Sequence, residues 1–338
     1  MTSWIPGFGG KSSGLSWEQK QEQEAKQWHE SHLGTGDEFF THSRSPAEDS
    51  GVFKVTDVRP RPKEADRGGA RLIRIPKGKY EKPPQIAKGL KSCDLSHTAK
   101  DHFQKQAVDL ELEVFADTPT VLSPLIQAWR SDEGTKMIYD AEMQWLEAKQ
   151  GAKDSVFLTT TFDLANGEKE KSVQFPEAFP KGTQVDVVGW MQSFRIGTEE
   201  GKDYACDFWA TRINNKGFTA HADCGDNTER LTVTWIALKK GKNSVATGSF
   251  NTGSDEDAGE KSQERRGNVE FGEGVFEKAP TVLVALSQFE LAGGKDLRIG
   301  VDVEDVSEEG FSWVIRTWGN DADGALHSAE ASFIALGY

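Results

Sequence analysis

Cysteine is scarce in this sequence, which limits the covalent and metal chemistry available to it. The three cysteines are Cys93, Cys206 and Cys224, and none of them belongs to a Cys-x-x-Cys pair. An odd count without that spacing argues against a disulfide scaffold or a zinc site. A single bridge between Cys206 and Cys224 stays open on sequence grounds.

Long apolar runs are also lacking. No stretch approaches the ~18 consecutive apolar residues that a membrane-spanning helix needs. The first residues, MTSWIPGFGGKSSG, do not place a basic segment before an apolar one, as a secretory signal peptide does. We therefore expect no transmembrane segment and a cytoplasmic protein, which would leave the cell only by a non-classical route.

Positive charge is in deficit. The chain has 40 Lys and Arg residues against 54 Asp and Glu residues, so its formal net charge is -14. A surplus of this sign repels polyphosphate. We expect no nucleic-acid partner.

Signatures of catalysis are scarce as well. The sequence contains no phosphate-binding loop and no His-Glu-x-x-His motif, and its seven histidines are scattered. Among its 54 acids nothing singles out a pair suited to glycoside hydrolysis. We expect no catalytic residues, no metal and no cofactor, so the chain is not predicted to be an enzyme.

Short strand-forming runs separated by turns are abundant, and they favour an all-β fold. In the last stretch Phe311, Trp313 and Ile315 share one face, and after a Gly-containing turn Ala331 and Phe333 again alternate with polar residues. This alternation predicts two half-buried strands joined as an antiparallel hairpin.

The same succession of features occurs three times. Each copy has an opening strand, an aromatic residue before a turn, and a closing strand. The aromatics are Tyr80, Phe179 and Phe276, and the closing strands end at Ala148, Leu238 and Leu336. Because the aromatics recur after 99 and 97 residues, the repeat has the size of a small domain rather than of a solenoid element.

These observations divide the chain into four parts. Residues 1–49 form a polar N-terminal arm with one candidate helix over residues 17–32. Residues 50–150, 151–242 and 243–338 are predicted to form unit 1, unit 2 and unit 3, each a six-stranded antiparallel β-sandwich.

Large aromatic residues at matching places are predicted to fill the cores of the units. Trp145, Trp235 and Phe333 occupy the same place in the three closing strands. Large aromatics on alternating strands usually pack inward. We therefore expect the same of Trp190, Trp209 and Trp313.

Unit 3 contains several short motifs, which are NVEF (268–271), APTVLVALSQFEL (279–291), KDLRIGV (295–301), the Gly-Phe pair at 310–311, TWGN (317–320) and HSAEASFIA (327–335). In this order they resemble the H-type lectin domain, the fold of snail agglutinins and of the C-terminal domain of slime-mould discoidins. Unit 2 resembles the same domain in the segments FPKGTQVDVVGW, Gly217-Phe218 and LTVTWIAL. Unit 1 diverges most from it.

The resemblance implies β-sandwiches that assemble as a trimer and bind galactose or N-acetylgalactosamine between neighbouring protomers, without metal. In unit 3 it implies that Arg298, Trp318 and His327 take the places of the family's sugar-binding Arg, Trp and last aromatic residue. Asp257 or Glu260 would supply the acid of the N-terminal loop.

The other two units match this sugar-binding set unevenly. Unit 1 has Trp129 and Tyr139 at the two aromatic positions, with Asp109 where the family has Arg. Unit 2 has Ala205 and Gly225 in place of the Arg and the Trp. The residue after Trp318, often a specificity-setting His in the family, is Gly319, which argues against recognition of an N-acetyl group.

Three units in one chain suggest an intramolecular pseudo-trimer with sites between units. Arg298 would then join Trp129 and Tyr139 as readily as Trp318. The sequence leaves open whether the units pair within one chain or between the chains of a homo-oligomer. It also leaves open that these residues have purely structural roles. Trp129 and Trp318 could close the ends of sandwiches, and Arg298 could form a salt bridge to an acid such as Asp302.

The sequence thus predicts a lectin whose partners are glycans and glycoproteins. The alternative is a structural or interaction protein built on lectin-like units that have lost sugar binding. A stable protein partner that free galactose does not elute would distinguish the alternative from the lectin.

Overall fold

Strands dominate the structure, a computed structural model that describes residues 50–58, 68–96, 107–130, 138–199, 201–241, 244–253, 263–294, 296–319 and 326–337. For Trp129 and Arg130 the description covers the backbone. The predicted helix over residues 17–32 lies outside these ranges, as do Asp257 and Glu260.

Each predicted unit supplies six principal strands. Unit 1 contains β1 (Ser50–Lys54), helix α1 (Val55–Val58), β2 (Gly68–Ala70), β3 (Ile73–Arg74), β4 (Gln85–Leu95), β5 (Ala107–Thr118), β6 (Val121–Arg130) and β7 (Ile138–Ala148). Unit 2 contains β8 (Ser155–Asp163), a 3-10 turn (Leu164–Asn166), β9 (Glu170–Gln174), β10 (Val185–Gly197), β11 (Tyr204–Asn214), β12 (Gly217–Cys224) and β13 (Thr228–Lys239). Unit 3 contains β14 (Val245–Asn251), β15 (Glu264–Glu270), β16 (Thr281–Leu291), β17 (Leu297–Glu304), β18 (Gly310–Arg316) and β19 (Leu326–Leu336).

These strands form three antiparallel sheets, and the six strands along the main path of each sheet come three from one unit and three from another. Sheet 1 joins units 1 and 3 in the order β1-β7-β4-β17-β18-β15. Sheet 2 joins units 1 and 2 in the order β2-β6-β5-β10-β13-β8, with β3 beside β6. Sheet 3 joins units 3 and 2 in the order β14-β19-β16-β11-β12-β9. The all-β class with three antiparallel sheets is confirmed, and it is consistent with three β-sandwich units.

Within a unit, the two sets of strands face each other and bury their aromatic sides. In unit 3, Phe311 of β18 lies against Phe333 of β19 with ring centroids 5.1 Å apart. In unit 2, Phe208 and Phe218 both pack edge-on against Trp235. The cores of all three units belong to one continuous cluster of buried side chains.

The predicted terminal hairpin is therefore wrong. β18 pairs with β15 and β17 in sheet 1, whereas β19 pairs with β14 and β16 in sheet 3. Alternating apolar residues report that each strand has one buried face. They do not report whether two such strands share hydrogen bonds or face each other across a core.

A second, smaller core lies where the three units meet. It combines side chains from all three: Ala87, Leu146, Val188, Trp190, Ile236, Leu283, Ala285 and Ile334. The fully buried Trp190 donates from Nε1 to the carbonyl oxygen of Ser332 at 3.2 Å. A Cβ on Gly89 would lie 2.6 Å from Cβ of Trp190 and 2.5 Å from Cβ of Ala285, so glycine is what fits beside this indole.

Most of the expected core aromatics are buried. Trp145, Trp235 and Phe333 are 1%, 1% and 5% exposed, and Trp190 and Trp313 are buried as well. The prediction for Trp209 is wrong, because its side chain is 43% exposed. The position falls on the outward face of β11, between the inward-facing Phe208 and the half-buried Ala210.

The three cysteines are free thiols. Cys206 and Cys224 nevertheless stand directly opposite each other on β11 and β12. Burial, followed by the neighbouring Cys224, raises the pKa of the Cys206 thiol.

Candidate functional site

The place where units 1 and 3 join in sheet 1 brings together polar residues from both. β4 pairs with β17 so that Asp94 is opposite Arg298, and Ser92 is opposite Gly300. Because side chains alternate along a strand, the intervening Cys93 and Ile299 point into the core and are fully buried. Asp94 and Arg298 are thus placed on the other face of the sheet.

Asp94 organises this junction. It is 4% exposed and accepts a hydrogen bond from Arg298 Nε at 2.9 Å and from Trp318 Nε1 at 3.2 Å. Arg298 also donates from Nη2 to Asp296 at 2.6 Å. One buried carboxylate from unit 1 therefore fixes the guanidinium and the indole of unit 3 in a single arrangement.

These contacts also affect the protonation of Arg298. Partial burial acts to lower its pKa, but the hydrogen bond and charge of Asp94, with the charge of Asp296, raise the pKa of Arg298 overall. The guanidinium is therefore a permanent cation. Its pairing with two carboxylates replaces the interaction with Asp302 that the sequence suggested, since Asp302 pairs with Arg316 at 2.7 Å.

Two glycines make room for this arrangement. The ring of Trp318 lies over Gly300, where a Cβ would be 3.5 Å from the indole. A Cβ on Gly319 would be 3.0 Å from Arg298 Nη1, and Gly319 has a φ of +156°, which favours glycine. The glycine after Trp318 is thus explained by the approach of the guanidinium.

A pocket of about 290 Å³ lies beside Trp318, at the same junction. Its lining residues come from both units: Lys54, Ser92, Cys93, Asp140 and Glu142 from unit 1, and Gly300, Asp302, Arg316 and Trp318 from unit 3. Arg298 is not among these residues. The pocket is strongly polar, since Lys91 at its edge bridges Glu142 at 2.7 Å and Asp302 at 3.1 Å.

Tyr139 of unit 1 belongs to this junction. It lies at an irregularity of β7, between Ile138, paired with Leu95, and Asp140, paired with Asp94. Its neighbour Asp140 is opposite Asp94, and Asp94 in turn is opposite Arg298. The structure therefore places Arg298, Trp318 and Tyr139 together.

The structure places the other two candidates elsewhere. Trp129 has its backbone opposite Asp109 in sheet 2, whereas Arg298 lies in sheet 1. The alternative pairing of Arg298 with Trp129 stays a prediction. His327 lies in sheet 3 at an irregularity of β19, the position that Tyr139 occupies in β7. Its Nε2 atom is 3.7 Å from Asp203.

The junctions of sheets 2 and 3 differ from that of sheet 1. In sheet 2 the charges are exchanged: Asp109 occupies the place of Arg298 and Arg195 the place of Asp94, 3.3 Å apart. Arg230 binds the same buried Asp109 at 3.0 Å. Burial raises the pKa of Asp109 although both arginines act to lower it.

In sheet 3 the corresponding pair is Ala205 and Glu290. An alanine cannot bind a carboxylate, and Gly225 leaves this junction without a residue like Trp318. An Arg at the place of Arg298, with a buried acid opposite it and a Trp at the place of Trp318, therefore occurs at the sheet 1 junction, whereas the sheet 2 junction keeps Trp129 but exchanges the two charges.

Sequence reasoning missed Asp94, the residue on which the site depends. Its role follows from the pairing of β4 with a strand more than 200 positions later in the chain. In the local sequence KSCDLS, Asp94 alternates with Cys93 and Leu95, which face the core. That pattern is typical of an acid on the outer face of a strand, so it signals neither the burial of Asp94 nor its partners.

The described ranges contain neither a cluster of metal-ligating side chains nor a long apolar helix. Within them no group of three or more His, Cys, Asp or Glu side chains is arranged to hold a metal ion. Over the same residues, no helix has the length and apolar character needed to cross a membrane.

A comparison with protein families gives one match for this chain. The model described as the H-type lectin domain matches residues 267–336. This stretch lies in unit 3 and includes Arg298 and Trp318. No curated protein and no solved structure matches the chain significantly. The family match points to carbohydrate binding in general.

Proposed function

We propose that the chain is a non-enzymatic lectin that binds galactose-type or N-acetylgalactosamine-type glycans at the junction of units 1 and 3. One observation carries the proposal: Arg298 and Trp318, both inside the matched lectin stretch, converge on Asp94 of the other unit. Three groups suited to a sugar are thereby held in place before any ligand arrives.

The chemistry of these groups fits a hexopyranose. The face of an indole covers the apolar C–H patch of a galactose ring. A guanidinium held by carboxylates donates charge-assisted hydrogen bonds to neighbouring hydroxyls, and carboxylates accept from them. The adjoining pocket, about 290 Å³, is close to the lower end of the range for small-molecule sites, about 300 Å³.

Galactose is the first sugar to test, ahead of N-acetylgalactosamine. Gly319 stands where the resembled family often has a specificity-setting His, and any side chain there would press on Arg298. This position therefore offers no contact to an N-acetyl group.

The three units form an intramolecular counterpart of the trimer that the resemblance implies. Support comes from the sharing of every sheet between two units and from the small core to which all three contribute. All the groups of the site come from one chain, so association of chains is not needed to complete it. Affinity at a single such site is expected to be weak, and multivalent glycans or clustered chains would strengthen binding.

Retention on galactose-agarose, with elution by free galactose, tests the proposal. The parent chain should be retained, and Arg298→Ala should pass through. The matched control is Arg266→Ala, because Arg266 is an exposed arginine of sheet 1 that also pairs with two acids, Glu264 and Glu304. Equal retention of Arg298→Ala and the parent would refute the assigned site.

The second candidate function is a structural or interaction protein. The observation that favours it is the loss of the family's Arg at two of the three junctions, where Asp109 stands in sheet 2 and Ala205 in sheet 3, together with Gly225 in place of the Trp in sheet 3. It predicts a protein partner that remains bound in a pull-down when free galactose is added, together with no retention on the sugar resin.

A further inference from the structure

Trp209 departs from the pattern of the other tryptophans. Trp145, Trp190 and Trp235 are fully buried, whereas Trp209 projects from the outward face of sheet 3 with 43% of its surface exposed. An exposed indole on a strand is not needed for the core, because the adjacent Phe208 packs there against Trp235.

The indole is held in one orientation. It stacks on the imidazole of His221 across the β11–β12 pair, with ring centroids 5.2 Å apart and planes 9° from parallel. The imidazole is held at both nitrogens, since Nε2 is 2.7 Å from the Thr211 hydroxyl and Nδ1 is 3.5 Å from Glu170. Trp209 is therefore a preorganised flat surface rather than a freely rotating side chain.

Its position corresponds to a wall of the sheet 1 pocket. Ala205 and Asp207 pair with Glu290 and Gln288 just as Arg298 and Gly300 pair with Asp94 and Ser92. Two residues further along each strand stand Trp209 and the pocket residue Asp302. In both sheets the pairing between the units ends just before this position, so Trp209 borders the place where β11 and β16 separate.

The groups around this place are hydrogen-bonding and mostly acidic. Asp207 is opposite Gln288, and Gln288 in turn is opposite Glu330. Asp223 lies across from Asp207 and pairs with Lys169 at 2.7 Å. Carboxylates and amides of this kind accept and donate hydrogen bonds to hydroxyls, and their charge disfavours an anionic ligand.

We propose that Trp209 is the stacking surface of a second glycan site, specific for the apolar face of a neutral hexopyranose and located at the junction of units 2 and 3. The ligand class is shared with the proposed function, but the second site uses none of Arg298, Asp94 or Trp318. It also differs from that site in having Ala205 at the place of Arg298, so it selects by stacking and by hydroxyl contacts to acids and amides.

An array of neutral oligosaccharides, probed with the full chain, tests this inference. Trp209→Ala should lose about tenfold or more in affinity for a subset of glycans, which is the loss of one stacking contact. Trp209→Phe should retain most of that binding because a flat aromatic surface remains. Ile213→Ala, which truncates another exposed apolar residue of β11, should bind as the parent does.

The Trp318→Ala variant separates the two sites. If it loses galactose-type glycans and keeps the subset that depends on Trp209, both sites stand. If the parent and Trp209→Ala bind identically while Trp318→Ala loses binding, the second site is refuted and the first survives. If Trp209→Ala changes only the molecular mass measured by light scattering, the indole is a protein interface and the glycan inference is overturned.

Discussion

At the scale of the residue, Asp94 determines whether the sheet 1 junction can act as a site. A nearly buried carboxylate that accepts from both a guanidinium and an indole is stabilised by those donors, and it orients them in return. The same place holds Arg195 in sheet 2 and Glu290 in sheet 3, so this position differs at each of the three junctions.

Replacing Asp94 by Asn tests this role. An amide keeps the shape but loses the charge, and its single oxygen cannot serve both donors as the carboxylate does. We expect unfolding to become easier by about 1–3 kcal/mol and galactose binding to weaken by about tenfold or more. Urea denaturation and glycan titration would measure both, and a variant that binds with parental affinity would show that Arg298 needs no positioning.

Asp207 is a residue whose charge works against the folded state. Burial, together with the charges of Glu330 and Asp223, raises the pKa of Asp207 to about 6. An acid with a raised pKa contributes stability while protonated, and this contribution is lost as the pH rises through the folded pKa. The protein therefore bears a cost at neutral pH that is absent below the pKa of the unfolded chain, near 4.

Substituting Asn for Asp207 should remove that cost. Because part of this carboxyl is in contact with solvent, screening reduces the effect, and we expect a gain of about 1 kcal/mol at pH 7. The gain should shrink as the pH falls from about 6 towards 4. Denaturation midpoints of the parent and the variant would reveal this trend if they are measured at about pH 7, above the folded pKa of Asp207, and at about pH 4.5, close to its unfolded pKa. A gain in stability that does not depend on pH would contradict it.

At the scale of the element, the strand faces were predictable and the strand partners were not. Alternation identified the buried Trp145, Trp235 and Phe333, since a strand with one apolar face buries it. It misplaced Trp209, because size alone does not say which face of β11 the residue occupies. It also mistook β18 and β19 for a hairpin, because facing strands and paired strands leave the same pattern.

The residues of the candidate site also divide into those that could be predicted from the sequence and one that could not. Arg298, Trp318 and Tyr139 could be proposed from short motifs and are brought together at one junction. Asp94 could not, because it meets them only through the pairing of two units distant in sequence. The residue that joins a site across units is the kind of residue that local patterns do not reveal.

The meeting point of the central strands β4, β10 and β16 provides a test at this scale. Gly89→Ala adds one methyl group within 2.6 Å of Trp190 and Ala285, while the backbone conformation there needs no glycine. Overpacking of this kind should destabilise the fold by about 1–3 kcal/mol. Thermal or urea unfolding would detect the loss, and an unchanged midpoint would mean that the three units do not pack as closely as described.

At the scale of the whole molecule, no unit closes its own sheets. Unit 3 depends on β4 of unit 1 to extend sheet 1 and on β11 of unit 2 to extend sheet 3. Its contributions to the small central core, Leu283, Ala285 and Ile334, also need the other two units to cover them. Stability therefore belongs to residues 50–338 together rather than to three independent domains.

Expression of residues 243–338 alone tests this dependence. The fragment would expose two unpaired strand edges and the apolar residues of the central core, which favours association. We expect oligomers or aggregates in light scattering, in contrast to the full chain. A monomeric fragment with the circular dichroism of a folded β-protein would contradict the account.

The most direct measurement of the central claim is a glycan array probed with the parent chain and with Trp318→Ala. Binding of galactose-type glycans that the variant loses, while its unfolding midpoint stays near that of the parent, is the predicted result. It would establish sugar binding and assign it to the junction of Arg298, Asp94 and Trp318. A folded parent that retains no galactose-type glycan, or a variant that binds as well as the parent, would contradict the proposed site.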